Sequence, residues 1–205
     1  MPQILKEDVQ NRIVQAALRV FAEKGFAAAT IGEIASMAGV STGNIYRYYD
    51  GKGALFEDAV DESFVGRFTM LLKDRVRSLA GVEDVRNLDP DAPWYLASEE
   101  LLRFSIENRL RMVILLARAE GTRWESFARD TVYDLVRLAL THFRALNADL
   151  EIGATTHFVL VRIYENLLAT NARILANHED EAHIRQAVAS YSRYHLAGLQ
   201  ALFDT

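Results

Sequence analysis

The densest chemistry in the chain lies between Thr30 and Lys52. Ser41, Thr42, Asn44, Tyr46, Arg47 and Tyr48 place hydroxyls, an amide, phenols and a guanidinium within eight residues, and Gly43 leaves the backbone bare among them. These groups match the edges of DNA: arginine can pair with guanine and asparagine with adenine in the major groove. Ser41 and Thr42 can also bring hydroxyls and free amides at a helix N-terminus to a phosphate. Lys52 follows as a cation able to clamp the neighbouring backbone. The candidate DNA-contacting set is therefore Thr30, Ser41, Thr42, Gly43, Asn44, Tyr46, Arg47, Tyr48 and Lys52.

Those side chains need two short helices crossing steeply, and the residues around them supply both. Thr30-Ile31-Gly32-Glu33 spells a capping box, which starts a helix running to Ala38. Gly39-Val40-Ser41 is the turn, with Gly39 free to take positive φ and Ser41 as the next N-cap. The second short helix is expected over Thr42–Tyr48. Ala35 allows close approach, and Ile34, Ala38, Val40 and Ile45 form an apolar wedge. With Ile45 inward, Gly43 and Arg47 point nearly opposite, with Asn44 and Tyr46 on the flanks. Tyr49 lies on the Ile45 side and is expected in the core. Ahead of this unit, Val9, Ile13, Ala16, Ala17, Val20 and Phe21 line one face of a helix expected over Asp8–Lys24, which Gly25 should stop in a left-handed conformation.

The frame Arg12-Ile13, Ala16-Ala17, Phe21, Gly25-Phe26, Thr30, Ile34-Ala35, Ala38-Gly39-Val40-Ser41, Gly43, Ile45-Tyr46, Tyr48-Tyr49, Lys52 and Leu55 resembles the TetR family of bacterial regulators. It covers about the first quarter of the chain. The resemblance implies a three-helix DNA-binding domain over residues 1–51 and a larger helical ligand-binding and dimerisation domain over 52–205. It also implies a homodimeric repressor, released from double-stranded palindromic operator DNA by a small-molecule effector. One position departs from the family pattern. Gly51 stands before Lys52 where a Ser, Asn or Asp cap is usual, and Gly53 follows.

Composition agrees with an all-α protein. Only 11 glycines and 3 prolines punctuate 205 residues, and half of the chain is apolar. There are no cysteines, which removes disulfides, thiolate zinc sites and cysteine nucleophiles and fits a reducing cytoplasm. The charge of −5 is unevenly spread: residues 1–52 carry +1 and the remainder −6, so the acidic part would face away from phosphates. No signal peptide or membrane span is expected. Phe158–Ile163 is already interrupted by Arg162.

Beyond Lys52 one long helix is expected to about Leu79, then an acidic linker over Gly81–Pro93. Further helices are expected near 94–107, 109–119, 123–146, 151–177 and 181–203. The last two present broad apolar faces and correspond, by the resemblance, to the dimer interface. Candidate pocket residues are Trp94, Phe104, Met112, Leu116, Trp124, Phe127 and His157, with Arg118 and Arg123 as anion partners. An enzyme is not expected, and neither is a cofactor or metal. His178 and His183 are five residues apart, about 140° around a helix, and cannot share one zinc face as a four-residue spacing can. Gly51-Lys52-Gly53 lacks both the leading glycine and the hydroxyl of a phosphate loop. The alternative reading is a chromosomal or scaffold DNA-binding protein without ligand response.

Overall fold

The computed structural model describes residues 3–82, 84–89, 91–149 and 151–203. Among them every regular element is a helix: α1 (Gln3–Ala28), α2 (Ile31–Ala38), α3 (Thr42–Tyr46), α4 (Lys52–Ala59), α5 (Glu62–Arg77), α6 (Pro93–Glu107), α7 (Arg109–Ala117), α8 (Phe127–Leu146), α9 (Ala154–Asn177) and α10 (Glu181–Phe203). A single 3₁₀ turn, Val85–Asn87, lies in the acidic linker. The linker's Glu83 and Pro90 fall outside the described residues. No described helix is long and apolar enough to cross a membrane.

One core runs from Ile13 through Phe56 and Ile114 to Leu160 and Ile184. α1 packs on α2, α4 and α7, so the first helix touches both the short N-terminal helices and the C-terminal ones. α5 lies on α6, and α9 packs against α7, α8 and α10. The rings of Phe21, Phe26 and Phe56 meet with centroids 5.1–5.8 Å apart and tie α4 to α1.

Several expected boundaries move. α1 does break at Gly25, where φ 81 and ψ 161 give a positive-φ conformation that favours glycine but lies outside the left-handed helical region, and one further turn follows to Ala28. α3 is shorter than expected and ends at Tyr46. The single long helix after Lys52 is in fact two. Asp61 caps a new helix, accepting from the Phe64 amide at 2.9 Å. The carbonyls freed at the break find distant donors: Ala59 accepts from Arg111 Nε at 2.8 Å and Val60 from Trp124 Nε1 at 3.2 Å. α8 starts at Phe127, because residues 119–126 fold into turns held by the Thr122 hydroxyl, which donates to the Ala119 carbonyl at 2.7 Å and accepts from the Trp124 amide at 3.1 Å. α9 begins at Ala154, after Gly153.

Candidate nucleic-acid interface

The start of α2 is fixed by reciprocal hydrogen bonds. The Glu33 amide donates to Thr30 Oγ1 at 3.2 Å, and the Thr30 amide donates to the Glu33 carboxylate at 3.0 Å. Lys24 pairs with the same carboxylate, so the Lys24 ammonium first and then Thr30 hold its pKa below the usual range. Thr30 is exposed, but its oxygen is engaged in the cap. Gly39 takes φ 66 and ψ 37, the left-handed conformation that ends α2. Arg12 reaches across from α1 to donate to the Ala38 carbonyl at 3.3 Å. Ser41 Oγ accepts from the Asn44 amide at 3.2 Å and caps α3.

On this base Ile45 is fully buried, while Ser41, Thr42, Gly43, Tyr46 and Arg47 are exposed along α3 and its ends. Tyr46 retains 58% of its surface. Nothing inside the protein requires a glycine at position 43: a Cβ there would meet only Ser41 Oγ, at an ordinary 3.8 Å. Asn44 is half-buried, and Tyr48 turns partly against the core, so both present less surface than their neighbours. Tyr49 is a core residue as expected; its hydroxyl donates to Asp58 and accepts from Gln10.

Lys52 is engaged within the protein. Its ammonium donates to the carbonyls of Phe26 (2.7 Å), Ala27 (3.2 Å) and Ala29 (2.9 Å) and sits 4.5 Å from the centroid of the Phe26 ring. An ammonium has three donors, and all three are used on the protein. Lys52 thus closes the carbonyl end of α1, with its three donors turned to the protein in this DNA-free structure. We expect Lys52→Met to lower stability by about 2 kcal/mol, a Tm fall of about 6 °C by circular dichroism, because charge-assisted bonds to orphan carbonyls are lost. An unchanged Tm would return Lys52 to the surface.

The expected pocket residues do not converge. Leu116 and Arg118 line an open cleft of about 460 Å³ between α7, α8 and α9, together with Val132, Leu168, Ala172 and Arg173. Met112 is core. Phe104 stacks on Phe64 with centroids 5.6 Å apart, and Phe127 packs against Phe68 and Trp124. Arg123 pairs with Glu57 at 2.6 Å and lies over Trp124, so it faces α4 instead of a cavity. His157 is exposed on the first turn of α9 and lines neither described cleft. Trp94 is buried, but its surroundings are a group that sequence reasoning missed.

That group comprises Arg75 on α5, Trp94 and Ser98 on α6, Tyr164 on α9 and His195 on α10. The Arg75 guanidinium lies 5.1 Å from the Trp94 ring centroid, and its Nε donates to Ser98 Oγ at 3.0 Å. Tyr164 and His195 meet edge to face with centroids 5.5 Å apart. Burial, helped by the Arg75 charge, pushes the His195 pKa down to about 4. Burial raises that of Tyr164 to about 12 against the pull of Arg75. A signal did exist, since three of its polar residues sit within apolar stripes at helical spacing: Phe64-Phe68-Leu71-Arg75, Leu160-Tyr164-Leu168 and Ile184-Val188-Tyr191-His195-Leu199.

The chain thus presents a helix-turn-helix with a polar face on its second helix, set on a larger helical body. Residues 13–59 match the family model described as bacterial regulatory proteins, tetR family, which covers about a quarter of the chain. The HTH-type transcriptional regulator YerO of Bacillus subtilis is 42% identical over 72 residues, which cover 35% of this chain and 25% of that protein. The chain thus spans about a quarter of that relative's length. The HTH-type transcriptional repressor AcnR of Corynebacterium jeikeium is 27% identical over 158 residues, covering 68% of this chain and 83% of that protein. A solved Clostridium perfringens regulator shares the fold with a TM-score of 0.51 at 18% identity, over 91% of this chain and 97% of that one.

Proposed function

We propose that this protein is a DNA-binding transcriptional regulator, a homodimeric repressor that grips a palindromic operator and releases it when a small molecule binds among its C-terminal helices. The observation that carries the reading is the exposed face of α3. Thr42, Gly43, Tyr46 and Arg47 stand clear of the protein while Ile45 anchors the helix beneath them. The division after residue 51 belongs to the same reading, with α4 as the joint between the two parts. So does a bacterial cytoplasm as its place of work.

Dimerisation through α9 and α10 is supported by apolar side chains left in solvent. Phe158 is 61% and Tyr194 73% exposed, and a hollow of about 280 Å³ between Ile163, Tyr191 and Gly198 could receive a partner's side chain. Coupling to DNA has a short path. The Phe26 amide, at the end of α1, donates to the Arg118 carbonyl at 3.2 Å, while the Phe26 carbonyl accepts from Lys52. A shift at the end of α7 therefore pulls on α1, on which α2 and α4 rest. Near-complete release needs an effector that prefers the released form by about 5 kcal/mol.

The test is selection from a random duplex pool. The expected product is a palindrome with half-sites about one helical turn (~34 Å) apart, whose affinity falls steeply with salt. Failure to enrich any sequence over the starting pool would sink the regulator reading.

A further inference from the structure

Arg75 is a cation without an anion. Its guanidinium has one hydrogen-bond acceptor, Ser98 Oγ, and among the described residues no carboxylate pairs with it. Most acids on the helices around it are engaged elsewhere: Asp74 with Arg77, Glu99 with Arg185, Glu100 with Arg67, Glu165 with Arg162 and Glu181 with Arg185, while Glu62 and Glu107 lie at the far ends of α5 and α6. Burying a charge is costly unless it is paired and hydrogen-bonded. A part-buried guanidinium whose terminal nitrogens have no hydrogen-bond partner among the described residues is therefore open to an anionic ligand.

A second observation points the same way. Trp94, only 5% exposed and in contact with Arg75 through its ring, has an indole Nε1 with no hydrogen-bond partner. The hydroxyl of Tyr164 and the ring nitrogens of His195 make no hydrogen bond among the described residues either, although they are not sealed off as Trp94 Nε1 is. Arg75 itself is only part-buried where α5 meets α6, so its guanidinium is within reach of solvent and of a ligand arriving from it.

We propose that Arg75, Trp94 and Tyr164 form the binding site for a small organic monocarboxylate. The inference rests on the C-terminal helices being the effector-receiving part. The two free nitrogens of a guanidinium match the two oxygens of a carboxylate, and Trp94 Nε1 or the Tyr164 hydroxyl can donate a further bond. One unpaired cation calls for one negative charge, since His195 stays neutral beside it. The aromatic walls suit a ligand whose body is aromatic or aliphatic.

The test compares benzoate, phenylacetate and octanoate with their neutral amides and with inorganic phosphate, on the full chain and without DNA. At about thirty times Kd the carboxylates should raise Tm by about 5 °C, and the amides and phosphate should not. Arg75→Met should abolish the shift, while Arg118→Met, at the open cleft, should keep it. In a Trp124→Phe background the carboxylates should also change Trp94 emission, a readout that does not need the arginine variant to fold. The proposal is overturned by equal stabilisation from the amides, stronger stabilisation from phosphate, an undiminished shift in Arg75→Met, a loss in Arg118→Met instead, or no response from any probe up to about 10 mM, where a Kd of about 1 mM would already register. Operator affinity of the unliganded protein is measured separately, so failure here and failure of the DNA reading are distinguishable.

Discussion

Arg47→Ala should lower affinity for the selected operator by about 30- to 10⁴-fold and leave the protein folded and dimeric. A bidentate arginine–guanine pair is worth about 1–3 kcal/mol of discrimination, and a two-fold symmetric complex loses it at both half-sites. The fold should tolerate the change. Arg47 is exposed at the end of α3, and among the described residues its guanidinium has no hydrogen-bond or ion-pair partner. Surface substitutions of that kind stay within about 0.5 kcal/mol. Titrations against operator and against random duplex separate base reading from phosphate contact. A loss confined to the operator marks a base contact, whereas an equal loss on both marks a phosphate contact and a shallower salt slope. Unchanged affinity on the operator would remove Arg47 from the interface.

The helix-turn-helix was legible because its constraints are local. Thr30 and Glu33 are three residues apart and so are Ser41 and Asn44, and both pairs close as the spacing demands. Gly39 sits where only a left-handed turn joins α2 to Ser41. The inward turn of Ile45 then exposes Arg47 by helix geometry alone.

What was not legible depends on partners far along the chain. The break at Val60 and Asp61 carries a capping aspartate, but its loose carbonyls are satisfied by Arg111 and Trp124, 52 and 64 residues away. Lys52 reads as a surface cation until the end of α1 is folded against it. The same limit hid the Arg75 group. Arg75, Tyr164 and His195 each stand in an apolar stripe on their own helix, yet only the packing of α5, α6, α9 and α10 brings the group together. A polar side chain repeated on the buried face of three helices is therefore a stronger pocket signal here than aromatic content, which the core also uses.

The His195 ring gives that group a pH signature. In the unfolded chain this histidine takes a proton near its ordinary 6.5, but in the folded protein burial and the Arg75 charge hold its pKa at about 4. Below the unfolded value the unfolded state binds the extra proton, so stability is complete above about pH 6.5 and is lost as pH falls toward 4. At pH 5 the loss comes to about 2 kcal/mol, growing to about 3 kcal/mol at the lower end of the window. Urea unfolding at about pH 7.5 and 5.0, at one protein concentration, should show this loss in the wild type and lack most of it in His195→Phe, which keeps a ring against Tyr164. Equal acid sensitivity in the two proteins would mean that His195 is hydrated and not held neutral. A carboxylate seated on Arg75 should shrink the loss, because it offsets the cation that helps depress the histidine. The acid limb of stability therefore reports both the burial of His195 and the occupancy of the site beside it.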